Sequence, residues 1–261
     1  MQKELKNLVT MSTTLGAPQN DYVILGEGNT SSLVKDGTFW VKASGYQLPT
    51  IDETGFVRVS LKKAMAILEE PGLNDGAIKQ KLLDAKVDPD TGQTPAPDDG
   101  IRPSTETVFH AICLNLDGIN YVGHTHPTAI NALTCSANFE EAVLGRLFPD
   151  EIVMCGPAPV VVPYVDPGIP LAIAIKQKIV DYIHQYNELP KVILMQNHGL
   201  VVLGGTAEQV LATTAMMVKT ARVILGTYVM GGPHFLSDVN VSRIHTRPDE
   251  LYRRKLLGGI N

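Results

Sequence analysis

The chain has 261 residues, 44% of them hydrophobic and 19% charged, with a formal net charge of -5. That is enough apolar material for one substantial core, and no linker-like stretch divides it, so a single domain over residues 1-261 is expected. The acidic balance and the lack of basic runs exclude nucleic acid as main partner. No apolar run of bilayer-spanning length and no signal-peptide pattern are expected, which argues against a membrane.

Cys113, Cys135 and Cys155 are scattered, without a close-spaced pair. They fit reduced thiols used as small core residues in a cytoplasmic protein. Leu5, Leu8, Val9 and Ser12 recur at helical spacing and predict an opening helix over 4–13. Leu25-Gly26-Glu27-Gly28-Asn29-Thr30-Ser31-Ser32 follows, neither Gly-x-Gly-x-x-Gly nor a Walker loop, which removes the usual nucleotide readings. Such a loop either directs backbone N–H groups and short hydroxyls at an oxyanion or simply leads into a hairpin.

Strands over 32–34 and 39–42 flank Lys35-Asp36-Gly37-Thr38, whose Asp-Gly favours a tight turn. The second strand runs out into Lys42-Ala43-Ser44-Gly45-Tyr46, another donor-rich corner. A short strand over 55–59, a helix over 61–70 ended by Pro71-Gly72, and a helix over 74–85 come next. The polar, aperiodic stretch 86–102 is long for a loop inside a compact domain; it reads as a border to a site or as a surface excursion. Ser104 is placed to cap a helix over 105–116, which puts Ser104 and Thr105 where free amides and the helix dipole favour an anion. Glu106 falls in the first turn, a position that suits the dipole whether or not the carboxylate has other work.

Gly118-Ile119-Asn120-Tyr121-Val122 leads into Gly123-His124-Thr125-His126-Pro127. In an extended chain His124 and His126 share a face, and two imidazoles on one face suit zinc and the neighbouring divalent metals. Pro127 opens a helix to about 136, and 139–147 reads as helical. Segments 151–154 and 160–162 read as buried strands, and 170–186 as an amphipathic helix with Ile173, Ile175, Ile179 and Ile183 inward. A buried strand over 191–195 ends at Gln196-Asn197-His198-Gly199, a turn able to present a third ligand; 200–203 and a Gly204-Gly205 turn follow. A long helix over 207–228 and a short charged one over 247–257 complete the chain. His110, one helical turn after Glu106, is placed to support it. His184, His234 and His245 have no motif context, and with His110 they read as structural or surface residues.

In combination, Gly28-Asn29-Thr30-Ser31, Ala43-Ser44-Gly45, Pro103-Ser104-Thr105-Glu106, Gly123-His124-Thr125-His126-Pro127 and Asn197-His198-Gly199 resemble the class II aldolase/adducin family. The pieces keep the family's order and span about residues 26–205. The resemblance implies an α/β fold of three layers, α/β/α, around a central, largely antiparallel sheet. It implies one divalent metal per subunit, zinc with manganese or cobalt as alternatives, held by His124, His126 and His198. Glu106 matches the acid/base residue, a possible fourth ligand when substrate is absent. Asn29, Ser44, Gly45, Ser104 and Thr105 match positions that hold the substrate's phosphate.

The reaction so implied is retro-aldol cleavage of a small ketose 1-phosphate, of the fuculose or rhamnulose type, to dihydroxyacetone phosphate and an aldehyde through a metal-stabilised enediolate. The resemblance also implies a homotetramer in which a tyrosine, from a neighbour or the C-terminal tail, serves as second acid; Tyr228 and Tyr252 are the candidates. The family's pentulose 5-phosphate 4-epimerases typically carry Asp where Glu106 stands, which favours the aldolase. Sugar-phosphate dehydratases and decarboxylases of the family stay open. A non-catalytic module of the adducin kind predicts decayed ligands, whereas all three histidines and Glu106 are present. No dinucleotide fingerprint follows a strand, which counts against a nicotinamide-dependent oxidoreductase.

Overall fold

A computed structural model describes residues 3–70, 72–95, 100–250 and 252. It opens with α1 (Lys3–Leu15) and the strands β1 (Asn29–Leu33), β2 (Thr38–Lys42) and β3 (Phe56–Ser60). The helices α2 (Leu61–Ala66), α3 (Asp75–Asp84) and α4 (Thr107–Leu114) lead to β4 (Tyr121–Thr125). Next come α5 (Thr128–Thr134), α6 (Phe139–Ala142), α7 (Pro149–Cys155), β5 (Val160–Val162) and α8 (Ile169–Tyr186). Then β6 (Val192–Met195), β7 (Gly199–Gly204), α9 (Ala207–Thr227) and α10 (Asp238–Thr246) follow. Side chains at the helix starts take up backbone N–H groups that would otherwise lack partners: Ser60 for α2, Asn74 for α3, Thr206 for α9 and Ser237 for α10. In the β1–β2 turn, Asp36 accepts from the Thr38 amide at 3.1 Å and Gly37 takes φ +81°, as the Asp-Gly pair demands.

The strands form one open sheet in the order β3-β2-β1-β4-β7-β6-β5. Every pairing is antiparallel except β5–β6, where α8 makes the crossover that a parallel pair requires. The inner strands are covered on both faces, and β6 and β7 read as continuous apolar runs, whereas the central β1 and β4 carry polar residues. On β7, Val201 and Leu203 face the layer of α2, α3, α4 and α8, while Leu200 and Val202 face the layer of α1, α5, α7 and α9. The result is a three-layer α/β/α fold around a largely antiparallel sheet.

Several local expectations change. Segment 151–154 belongs to helix α7, not to a strand: Pro149 sits in the first turn with Asp150 and Glu151, a helix start that outweighs a short apolar run. Glu151 then points inward and meets Arg146 at 2.8 Å, both almost fully buried. The helix expected over 139–147 shrinks to the four residues of α6, and α2 gives way to a 3-10 turn at Ile67–Glu69. Pro71, expected to end that helix, lies outside the described residues. The inward stripe of α8 is Leu171, Ala172, Ile175, Ile179 and Tyr182; Ile173 is exposed and Ile183 only partly buried.

Cys113 and Cys155 are core residues, but Cys135 is exposed. Contrary to expectation, Ala207–Met230 is long and apolar enough to cross a membrane by length and composition. Here it packs as a core helix, with Val210, Met217, Ala221 and Ile224 buried under the sheet. Helix α10 escaped the sequence reading, and its Ile244 packs on Ile152 and Val153 of α7. Residues 248–250 are helical; apart from 252, the rest of the charged helix expected over 247–257 lies outside the described residues.

Candidate metal centre

Two neighbouring strand ends bring three imidazoles together. His124 leaves β4 fully buried, and His126 follows two residues later on the same side, where its backbone amide donates to the Tyr22 carbonyl at 2.9 Å. His198 sits in the β6–β7 turn. Asn197 before it adopts φ +54°, which asparagine tolerates, and its amide donates to Thr134 O at 3.1 Å. Gly199 after it has no room for a side chain: a Cβ would lie 2.7 Å from the Thr125 carbonyl oxygen and from His126 Cδ2. The turn therefore presses against β4, and ring centroids lie 4.7 Å (His124–His126), 5.0 Å (His124–His198) and 5.2 Å (His126–His198) apart. One nitrogen from each ring falls within 4.8 Å of the others.

The electrostatics suit a cation. His124 Nδ1 lies 3.0 Å from the Leu200 carbonyl oxygen, so it carries the proton and donates, leaving Nε2 with its lone pair toward the cluster. His126 Nε2 is 3.0 Å from that atom. Burial pushes His124 down to about 3 and also lowers His126, with the neighbouring His198 adding to the effect. Neutral imidazoles are the ligating form. Glu27 stands 3.6 Å from His126 Nδ1, on the side away from the cluster.

Glu106 reaches the cluster because the ends of two segments are pinned together. Ala43 and Pro103 form an antiparallel bridge, Ser44 N donates to Arg102 O at 2.8 Å, and Ser104 N to Lys42 O at 3.3 Å. The helix begins only at Thr107, so Glu106 occupies the capping position rather than the first turn, and its amide donates to Ser104 Oγ at 3.3 Å. Its carboxylate lies 3.4 Å from His124 Nε2 and 3.3 Å from His198 Nε2. Asn29 Nδ2 donates to it at 2.6 Å. Burial works to raise the Glu106 carboxyl, but hydrogen bonds from the His198 and Asn29 side chains outweigh it and hold the group ionised. Three imidazole nitrogens and one carboxylate form a donor set that fits a divalent transition metal.

The His110 backbone amide donates to the Glu106 carbonyl at 3.3 Å, but its ring does not reach the carboxylate that its spacing had suggested it would support. It lies buried one layer below, with Nε2 on Asn29 Oδ1 and Nδ1 2.7 Å from Ser31 Oγ. Asn29 is thus held between His110, Ser104 and Glu106. Ser44, Gly45 and Thr105 are exposed beside one another, with Ser104 buried under them. A cavity of about 1010 Å³ opens next to this corner, and Ser44, Arg102, Thr105, Leu82 and Ile169 are among the residues that line it.

Of stretch 86–102, residues 96–99 lie outside the described residues; Lys86 Nζ donates to Ile101 O at 2.8 Å and ties its two ends. Tyr228 is half-exposed after α9 and Tyr252 is exposed. Among the described residues neither forms a hydrogen bond or ring contact with the histidines. Sequence reasoning passed over Lys42, a buried lysine at the end of an apolar strand, and Glu27 behind His126. Glu27 lay inside a loop read only for its glycines and hydroxyls.

Comparison with known proteins agrees with this fold. The chain is 28% identical over 229 residues to the Bacillus subtilis (strain 168) protein named uncharacterized oxidoreductase YuxG, a match over 85% of this chain but only 29% of that much longer relative. It is 28% identical over 151 residues to the 3-oxo-tetronate 4-phosphate decarboxylase of Haemophilus influenzae, over 57% of this chain and 67% of the relative. The fold resembles the L-fuculose 1-phosphate aldolase from Glaciozyma antarctica, with a TM-score of 0.61 at 16% identity over 98% of this chain and 90% of that one. The model of the class II aldolase and adducin N-terminal domain matches residues 7–225, and the chain belongs to that family.

Proposed function

We propose a single-domain, metal-dependent carbon–carbon lyase that splits a small ketose 1-phosphate, of the fuculose or rhamnulose type, into dihydroxyacetone phosphate and an aldehyde. The observation that carries this reading is the Glu106 carboxylate, 3.4 and 3.3 Å from two imidazoles of the cluster and held from behind by Asn29. One divalent cation, zinc with manganese or cobalt as alternatives, supplies Lewis acidity at the substrate's carbonyl when bound by His124, His126 and His198. The remaining work belongs to the chain's own groups.

Glu106, ionised and fixed, moves the proton at the carbon next to that carbonyl. Ser44, Gly45, Ser104 and Thr105 take the phosphate, with Asn29 bracing both Ser104 and Glu106; remote binding becomes orientation at the reacting carbon. Val229 and Met230 stand 89% and 91% exposed after α9, which supports a homo-oligomer, a tetramer in this reading. The free cysteines support a cytoplasmic setting.

A second reading, decarboxylation, is favoured by the name of the Haemophilus relative. Its chemistry converges on the same fragment: a 3-oxo acid that loses CO₂ leaves a carbanion beside the carbonyl, and protonation of that fragment from 3-oxo-tetronate 4-phosphate gives dihydroxyacetone phosphate. The test is a coupled assay of dihydroxyacetone phosphate across a panel of ketose 1-phosphates and 3-oxo-tetronate 4-phosphate, with and without chelator, while aldehyde and CO₂ are measured separately. Chelator-sensitive release with a stoichiometric aldehyde supports the lyase. Release with CO₂ alone moves the assignment to decarboxylation, and no release from any substrate by metal-loaded protein overturns both.

A further inference from the structure

Residues 21–28 form a loop folded against the strand end that carries His126. The His126 amide donates to Tyr22 O at 2.9 Å, and Thr128 holds Asp21 through its amide, at 3.3 Å, and its hydroxyl, at 3.0 Å. Gly28 closes the loop at φ +68°, where a Cβ would stand 2.6 Å from the His124 carbonyl oxygen. At the tip, exposed Leu25 takes φ +50°, a left-handed conformation that a leucine side chain disfavours. That turn folds Glu27 back: its amide donates to Ile24 O at 3.0 Å, and Ile24 N donates to Glu27 Oε2 at 2.9 Å. With Oε2 so engaged, Oε1 is the oxygen beside His126, 3.6 Å from Nδ1. That is ion-pair distance, roughly half an ångström longer than a hydrogen bond. Among the described residues no other carboxylate lies within ion-pair distance of that nitrogen.

The His126 ring has two neutral forms, and the choice matters because Nε2 lies 3.0 Å from His124 Nε2. His124 keeps its proton on Nδ1, toward Leu200 O, so its Nε2 is an acceptor. With the His126 proton on Nε2, that N–H donates to His124, and one hydrogen bond occupies both nitrogens. With the proton on Nδ1, two lone pairs face each other, a repulsion that a cation between them turns into attraction. A carboxylate beyond Nδ1 decides for the second form, since it attracts an N–H and repels a lone pair.

We propose that Glu27 is a positioning residue for the metal centre: it holds the His126 proton on Nδ1 and so keeps Nε2 free to ligate. This rests on the reading that the three histidines bind a divalent metal, and the experiment separates the two. Ring-nitrogen NMR of the metal-free protein reads the form of His126, and chelator competition measures zinc affinity, in the wild type, Glu27→Ala and Glu27→Gln. The wild type is expected to bind zinc and, when metal-free, to show the proton on Nδ1. Glu27→Ala is expected to move the proton to Nε2 and to bind zinc roughly 10- to 100-fold more weakly. Glu27→Gln keeps an acceptor oxygen and should recover most of both. Should Glu27→Ala fail to fold, Glu27→Met carries the same comparison. Unchanged zinc affinity, or an unmoved proton, in the folded variant overturns the role of Glu27 and leaves the metal centre standing. No zinc binding by the wild type overturns the metal centre, and the proposal with it.

Discussion

The histidine cluster at the ends of β4 and β6 and the polar chain beneath α4 are built from the same materials with opposite results. His124 and His110 are both fully buried, and burial pushes both down to about 3. Around His110 each ring nitrogen is taken up, Nδ1 by the Ser31 hydroxyl and Nε2 by Asn29. Asn29 Nδ2 donates to Glu106, so Oδ1 is the accepting end and His110 carries its proton on Nε2. His124 is the other tautomer, protonated on Nδ1 toward Leu200 with Nε2 turned to two further imidazoles. Burial and pKa do not separate a ligand from a scaffold residue; the uncommitted lone pair does.

The largest effect that would break this comparison is expected from His124→Ala. Loss of one of three nitrogens should lower metal affinity by more than roughly 100-fold and abolish turnover with it. Elemental analysis after dialysis checks this, and full metal content would remove His124 from the ligand set. Glu106→Gln should keep most of the metal yet slow proton exchange into dihydroxyacetone phosphate by about 10²- to 10⁴-fold, followed by NMR in deuterated water. Undiminished exchange would end its acid/base role.

His110→Leu should act on the other region. It strands the Ser31 hydroxyl and Asn29 Oδ1, which costs about 1–3 kcal/mol for each orphaned group in urea unfolding, while metal stays bound. If metal is lost instead, the two regions are one unit. A gentler probe is pH. Both buried histidines are neutral when folded, with pKa values near 3 against an ordinary value of 6.5, so below pH 6.5 the unfolded chain binds protons that the fold refuses. Stability of the chelator-treated protein should therefore fall as pH drops from 6.5 toward 5, by up to about 1.4 kcal/mol per unit for each histidine. His110→Gln should remove the His110 share of that slope and leave the shares of His124 and His126. The smallest effect belongs to Cys135→Ser, exposed and outside both regions, which should stay within about 0.5 kcal/mol of wild type.

The sequence showed the cluster more clearly than the polar chain for a physical reason. His124 and His126 are separated by the two-residue period of a strand, and His198 stands in a turn marked by Asn197 and Gly199, so local rules bring out all three. The contacts of His110 join β1 to α4 across about eighty residues, and no spacing encodes them. The inner strands β6 and β7 were plain as apolar runs, whereas 151–154 was the same signal in a helix and only Pro149 tells them apart. Lys42 looked like the polar end of a strand, and its burial depends on the Gly26 loop folding over it.

The Ala43–Pro103 bridge has a consequence for how such a protein can change. It clamps the chain next to Ser104 and Glu106, and the Lys86–Ile101 hydrogen bond closes the excursion between. Whatever lies inside that closed bight can be lengthened, shortened or exchanged while the reacting groups keep their places, because closing a longer loop costs little more than closing a short one. Selection can thus rewrite that stretch of sequence and leave the residues around the histidine cluster as they were.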